Sequence, residues 1–452
     1  MQKRYIFLAL LAFISLLFTN ALAQKSARLN FIDSAQNWSY NFQLTAIKQY
    51  HPAFSAAYSG KNSLRDEAES ALSLTSTAFL GRRLWQNASV FFNPEIAGGG
   101  GVSSSLGIAA FPNGETFRIG NPAPALYVAR CFIRQHFHLK GEYDDQAEGF
   151  NQVPEKLYKH RLVLTAGKFS LADIFDNNNV AHDARMDFMN WAFMDNGAWD
   201  YPANTRGYTT SIVVEYYRLN WVFRGGASLV ASTANGPKMD WDIRKAQGLT
   251  FELERKLTFA PNRQGSVRLL LFSNNSKAAS YQQVINQFQS TGDSSTLNVY
   301  NSNQYNGLKY GGGINFDMQL TDNLFCFGRV GWNNGKTATW AFTEIDQTAS
   351  GGIRLKGKKW KRPQDNIGIA GVVNGISKTH KEFLNDGGYG FMIGDGKLTH
   401  YGHETVLEVF YESQIASSLF LTFDYQFVNN PGYNKDRGPV NLFALRVHFS
   451  FK

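Results

Sequence analysis

The chain has 452 residues and a formal charge of +9, with 43% hydrophobic residues, 14% aromatic residues, 41 Gly and only 2 Cys. Two cysteines exclude a disulfide-built scaffold, and the absence of a Lys/Arg run or an interleaved base-stacking motif argues against a nucleic-acid partner. Beyond an N-terminal leader no stretch of eighteen apolar residues occurs, which excludes a membrane-spanning helix.

The leader, MQKRYIFLALLAFISLLFTNALAQ, joins the basic Lys3 and Arg4 to an apolar run from Ile6 to Phe18 and a small-x-small site at Ala21-Leu22-Ala23. It reads as a cleavable secretory signal peptide over 1–23, leaving a single exported domain over 24–452. From Trp38 onward, apolar residues fall at every second position. In the last segment Phe443, Leu445, Val447, Phe449 and Phe451 share one face, while Ala444, Arg446, His448 and Ser450 share the other. Likewise Tyr127, Ala129, Cys131 and Ile133 oppose Arg130, Arg134, His136 and His138.

Sixteen such segments are predicted, near 40–50, 69–80, 84–96, 126–139, 160–169, 207–217, 220–231, 247–257, 265–273, 308–320, 323–332, 349–358, 366–377, 403–413, 417–428 and 440–451. A soluble sandwich also alternates, so alternation alone does not choose between the two. Connection lengths do: long links alternate with short ones such as Gly81-Arg82-Arg83, Arg218-Leu219 and Thr321-Asp322. Only 140–159 breaks that rhythm. The expected fold is all-β, a transmembrane antiparallel barrel of about sixteen strands with long extracellular loops and short periplasmic turns. A barrel of that size has room for an aqueous channel. Eighteen strands remain an alternative if 140–159 or 274–307 hides a hairpin. Cys131 and Cys326 fall on the outward apolar phase and read as unpaired small hydrophobes.

One long link stands apart. Residues 167–207 carry Asp173, Asp176, Asp183, Asp187, Asp195 and Asp200 among Arg185, Arg206, Trp191 and Trp199. A long connection without regular structure is usually functional. Carboxylates and guanidinium groups bond sugar hydroxyls while aromatic rings cover the apolar C–H face. The link therefore reads as the third long loop, folded into the lumen as a constriction, with Asp173, Asp176, Arg185, Asp187, Trp191, Trp199 and Arg206 as candidate pore residues. The competing reading is a surface loop whose rings pack together and whose Asp residues cap turns.

The lumen-facing phase gathers charges of both signs. Arg130, Arg134, Arg224, Arg268, Arg329, Arg354 and Arg446 face Glu215, Glu252, Glu254, Glu404, Glu408 and Asp424. Such a mixed lining suits neutral or weakly anionic polar solutes better than strong ion selection. The glycine-rich stretches AGGGG (97–101) and GGYGFMIGDG (387–396) lack the context of a phosphate loop. Scattered histidines, His400 and His403 among them, show no metal-ligand spacing. No Gly-x-Ser-x-Gly elbow marks a hydrolase, so no catalytic residue, metal or cofactor is assigned.

Several strings then suggest a family. They are Gly167-Lys168-Phe169, Asp173 to Asn177, Asp183 to Asn190 and Asp200 to Gly207. Further on come Gly328 to Lys336, Trp360 to Asp365, Gly394-Asp395-Gly396 and Asn430 to Val440. The chain resembles the carbohydrate-selective porins of the OprB family over nearly its whole exported length. The resemblance implies a sixteen-stranded outer-membrane porin passing glucose and other small sugars through an arginine-lined eyelet. It places Asp173, Asp176, Arg185, Asp187 and Arg206 near that eyelet. Lys452 after the terminal Phe451 departs from the aromatic ending usual in such barrels. The expected partners are small sugars and outer-membrane lipid, with a homotrimer and a monomer both open. A non-selective porin and an outer-membrane barrel hydrolase are the alternatives.

Overall fold

The computed structural model describes residues 37–139, 141–260, 263–298 and 304–451; the expected signal peptide lies outside them. The strands in chain order are β1 (Trp38–His51), β2 (Glu69–Trp85), β3 (Ala88–Gly99), β4 (Ala125–His138), β5 (Tyr143–Gln146), β6 (Glu155–Tyr158) and β7 (Arg161–Phe169). They continue with β8 (Thr209–Arg218), β9 (Trp221–Ser228), β10 (Gln247–Ala260), β11 (Arg263–Ser276), β12 (Gly307–Gln319) and β13 (Leu324–Asn333). The last are β14 (Gln347–Gly357), β15 (Arg362–Gly375), β16 (Glu404–Ala416), β17 (Leu419–Asn429) and β18 (Val440–Phe451).

All but β5 and β6 form one closed antiparallel barrel of sixteen strands. β1 closes it against β18, from Phe42 opposite Phe451 to Tyr50 opposite Phe443. Closure leaves no sheet edge with unsatisfied backbone groups, which is what a sheet needs in hydrocarbon. The eighteen-strand alternative fails because β5 pairs only with β6. The link after β11 holds helix α2 (Tyr281–Thr291) rather than a further pair of wall strands.

Alternation produces the two faces. In β1 every second residue, from Ser39 to His51, is buried inside. Outward, Trp38, Tyr40, Trp85 and Trp221 are exposed near the short-turn rim, and Tyr50, Tyr310 and Trp332 near the long-loop rim. Leu269, Leu271, Ile314, Val330 and Val447 are exposed between them. Aromatic girdles around an apolar band are the outer face of a barrel that crosses a membrane.

Two local expectations are corrected. β2 runs through Gly81-Arg82-Arg83 and turns only at 86–87, where Asn87 takes a φ of +63°; Asn tolerates that left-handed conformation. Arg82 stays in the ladder, opposite Trp38 on one side and Val90 on the other, its guanidinium 4.7 Å from the Trp38 ring. In β4, Asn93 of β3 faces Arg130 while Pro94 faces Val128, so Ala129 is an extra residue. Proline offers no N–H to the ladder, and a bulge is where a sheet tolerates it. The bulge inverts the phase, so Tyr127 points inward and its hydroxyl donates to Glu95. Cys131 is exposed on the outer face and Cys326 partly covered, both as free thiols.

The interior is packed rather than empty. Links 100–124, 170–208 and 334–346 fold into it, and Phe111, Phe175, Phe188, Phe193 and Phe342 join the buried apolar cluster there. Above them α2 meets helix α3 (Lys378–Asn385), with the Tyr281 and His380 rings stacked at 4.4 Å. Helix α1 (Trp191–Met194) is one turn inside the third long loop, started by Asn190, whose side chain accepts from Ala192 N at 3.0 Å.

Candidate functional site

The third long loop leaves β7 at Phe169 and rejoins the wall at Thr209, and its shape is dictated by inward-pointing wall residues. Asp176 has a φ of +54°, unfavourable for a residue with a Cβ. A web of bonds holds it there. Arg329 of β13 pairs with its carboxylate at 2.9 Å and donates to the Phe193 carbonyl at 2.6 Å. Asn315 of β12 donates to its Oδ1 at 2.8 Å, and Glu252 of β10 accepts its N–H at 2.6 Å.

Farther along, Arg354 pairs with Asp187 at 2.6 Å, and Arg446 donates to the Ala184 and Asp187 carbonyls at 2.7 and 2.8 Å. Glu408 accepts from Met189 N and Asn190 N at 2.5 and 3.0 Å. Between these anchors Asn196 lies directly on the wall. A Cβ at Gly313 or Gly331 would stand 2.0 or 1.9 Å from its amide atoms, so the loop approaches the wall only because both are glycine.

Two further links meet this loop. Trp191 N donates to the Phe111 carbonyl at 2.9 Å and Gly114 N to the Met189 carbonyl at 2.8 Å, tying it to 100–124. Asp200 accepts from Trp340 N and Ala341 N at 2.9 and 2.8 Å, tying it to 334–346. The Trp191 and Phe342 rings then stack at 4.3 Å, with Tyr201 stacked on Phe342 at 5.4 Å. Glu404 is part of the same scaffold, accepting from Ala109 N and Gly432 N at 2.9 and 2.8 Å.

On the side of β1 to β4 and β7 lies a cavity of about 580 Å³, next to an outer pocket of about 60 Å³ that shares lining residues with it. Glu115, Thr116, Arg185, Arg206 and Tyr208 line both and form the neck, with Glu95 and Tyr127 facing the outer pocket. Arg185 is fully engaged. It donates to Glu115 at 2.9 Å, Gln43 at 2.9 Å, Thr77 at 3.1 Å and Glu95 at 3.3 Å. Arg206 is not. Its guanidinium lies between the Phe117 and Tyr127 rings at 4.3 and 4.1 Å, and its buried NH1 has no hydrogen-bond partner. Among the described residues it forms no ion pair. Cation–π contact holds it from both faces while leaving its N–H edge free.

The expected site residues thus fall into two groups. Asp173, Arg185, Trp191 and Arg206 line the cavity, as do Arg130 and Arg134 of β4; Arg130 pairs with Asp173 at 2.6 Å. Asp176, Asp187 and Trp199 do not line it. They sit on the wall side of the loop, because each carboxylate is drawn to an inward guanidinium and Trp199 packs on Phe175 and Tyr201. Glu252, Arg329, Glu404, Glu408 and Arg446 likewise bind loop backbone and carboxylates instead of facing solute.

The neck residues Glu95, Glu115, Tyr127 and Tyr208 were not anticipated. The bulge hid Tyr127, and link 100–124 gave one readable sign of burial, the apolar run Ile108 to Phe111. At the outer rim two strings of the resemblance meet: Asn434 donates to Asp395 at 2.9 Å and to the Tyr58 hydroxyl at 2.6 Å. Burial raises the Asp395 carboxyl above its ordinary range against the bond from Asn434, and burial beside Asp395 pushes Tyr58 up to about 12.

A family model described as carbohydrate-selective porin, OprB family, matches residues 75–451. No curated protein matches the chain. Among solved structures, the high-pH structure of Pseudomonas putida OprB aligns with a TM-score of 0.67 at 15% identity, covering 92% of this chain and 95% of that one. The low-pH structure of the same protein aligns with a TM-score of 0.50 at 11% identity, covering 92% and 94%.

Proposed function

The chain belongs to the carbohydrate-selective porin OprB family, a porin of the Gram-negative outer membrane, and from that membership we propose that its lumen passes glucose and other small sugars passively, selected at the neck. The observation that carries this reading is the neck itself: Arg206, without an ion-pair partner among the described residues, and a fully engaged Arg185 line the same space with Glu115 and, on its outer side, Glu95, while the stacked Trp191 and Phe342 rings line its inner side. Sugar hydroxyls both donate and accept, so free guanidinium N–H groups and carboxylate oxygens serve them together. The stacked rings offer the apolar C–H face a surface. Two cations against two anions leave little net field, which favours neutral solutes over ions of either sign.

The cavity volume of about 580 Å³ lies within the ~300–1,000 Å³ of small-ligand sites. Solute moves down its gradient and binds weakly enough to leave again. No covalent step and no cofactor enter this reading. Each barrel carries its own path, whether it stands alone or in a trimer.

Liposome swelling with the purified protein tests this. Glucose is expected to enter faster than an amino acid of equal size. Equal rates would remove the selectivity and leave a general diffusion porin; no swelling for either would remove the pore.

A further inference from the structure

The short-turn rim is closed by tight links at 86–87, 219–220, 320–323 and 417–418, but the link between β4 and β7 is far longer. Its arms β5 and β6 form a hairpin, and the tip between them turns inward across the mouth instead of projecting away. Tyr40 N donates to Glu148 at 2.7 Å, and Asn41 Nδ2 to the Gly149 carbonyl at 3.0 Å, both from β1. Arg134 of β4 donates to the Asn151 carbonyl at 3.1 Å, and Arg83 of β2 to the Pro154 carbonyl. Val153 is fully buried, and the Phe150 ring packs on Phe79 of β2 at 4.7 Å.

Three strands therefore hold the tip, and Phe150, Asn151 and Gln152 line the same cavity as Arg185 and Arg206. Nothing about barrel closure requires this. Neighbouring wall strands are joined by two residues at 86–87, 219–220 and 417–418 and by four at 320–323 and 358–361, and a longer periplasmic link could simply extend into water. Aromatic and amide side chains lining the cavity, with Arg134 beside them, repeat the chemistry of the neck at the opposite end.

We propose that the tip of the β5–β6 hairpin is a second, periplasmic constriction of the channel, where a sugar ring rests on Phe79 and Phe150 beside Arg134 and Gln152 before release. This rests on the reading that the lumen carries sugars. Two constrictions in series share the resistance, so widening the inner one raises conductance without altering the charge selection made at the neck.

The test uses single-channel recording in planar bilayers on two variants. In one, residues 142–158 are replaced by an Asn-Gly turn; in the other, Phe150→Ala keeps the hairpin's backbone bonds. The first is expected to raise conductance about twofold. Phe150→Ala is expected to shorten sugar-blocking events when sugar is added on the periplasmic side, with an unchanged reversal potential. If the shortened barrel does not fold, Phe150→Ala decides alone. Variants that conduct and block like the wild type would overturn the proposal. A wild-type channel that conducts but is never blocked by sugar would instead overturn the sugar reading.

Discussion

Replacing Arg329 by alanine is expected to loosen the third long loop and raise single-channel conductance about twofold or more while the barrel stays closed. Arg329 is 2% exposed and makes three kinds of contact at once: the Asp176 carboxylate at 2.9 Å, the Asp176 carbonyl at 3.1 Å and the Phe193 carbonyl at 2.6 Å. Its removal strands the Asp176 carboxylate, 1% exposed, and breaking one side of a buried pair costs about 3–5 kcal/mol. That cost falls on the loop segment around Asp176 and Phe193, while the backbone pairing of β13 with β12 and β14 is untouched by the substitution. Arg329→Lys keeps the charge but not the planar fork, so it should fall between the two. Conductance and the heat-shifted gel mobility of folded barrels check this. An unchanged conductance in a folded Arg329→Ala barrel would mean that the loop does not restrict the path.

The second large effect is expected from Arg185→Gln and Arg206→Gln together, read as reversal potential in a salt gradient. Glu95 and Glu115 remain at the neck in the double variant and face it without cations. A ring of uncompensated carboxylates favours cations, so the reversal potential should move toward cation preference, with the sugar interaction weakened. The two single variants separate the roles. Arg206→Gln removes the free N–H edge and leaves the ion pairs of Arg185 intact, so it should cost sugar affinity more than folding. Arg185→Gln leaves two partners of a buried guanidinium unpaired, so it should also lower the thermal stability of the loop.

The barrel was legible in the sequence because its signal is repeated: inside–outside alternation recurs from strand to strand, so that the β4 bulge and ends displaced by four or five residues at β2 and β3 leave the strand count unchanged. The loop interior was legible only in part. Asp176, Asp187 and Arg329 are the same residue types as the cavity-lining Asp173, Arg185 and Arg206, but their partners are set by which strand stands opposite, and spacing along the chain does not encode that. The strings that carried the family resemblance turn out to be largely the anchors. Arg329, Gly331 and Asn333 seat the loop on the wall, Asn333 donating to the Ala198 carbonyl at 3.0 Å. Asp395 and Asn434 join the outer rim.

What pattern reading missed has local causes. One extra residue at Ala129 inverted the phase of Tyr127. Glu115 sits in a loop whose inward course depends on backbone bonds to Met189 and Trp191. The link 140–159 breaks the rhythm of short turns, yet only the bonds from Asn41 and Arg134 to its tip reveal that it turns into the lumen. Of the loop candidates, Asp173, Arg185, Trp191 and Arg206 line the cavity while Asp176, Asp187 and Trp199 lie against the wall, because burial in this barrel is decided across the lumen.

The central claim, sugar-selective passage through the Arg185–Arg206 neck, is tested most directly by titrating glucose against the single-channel current of the wild type and of Arg206→Gln. The account predicts a reversible block that saturates with glucose in the wild type and weakens in the variant. A current that falls only in proportion to solution viscosity, alike in both, would contradict it.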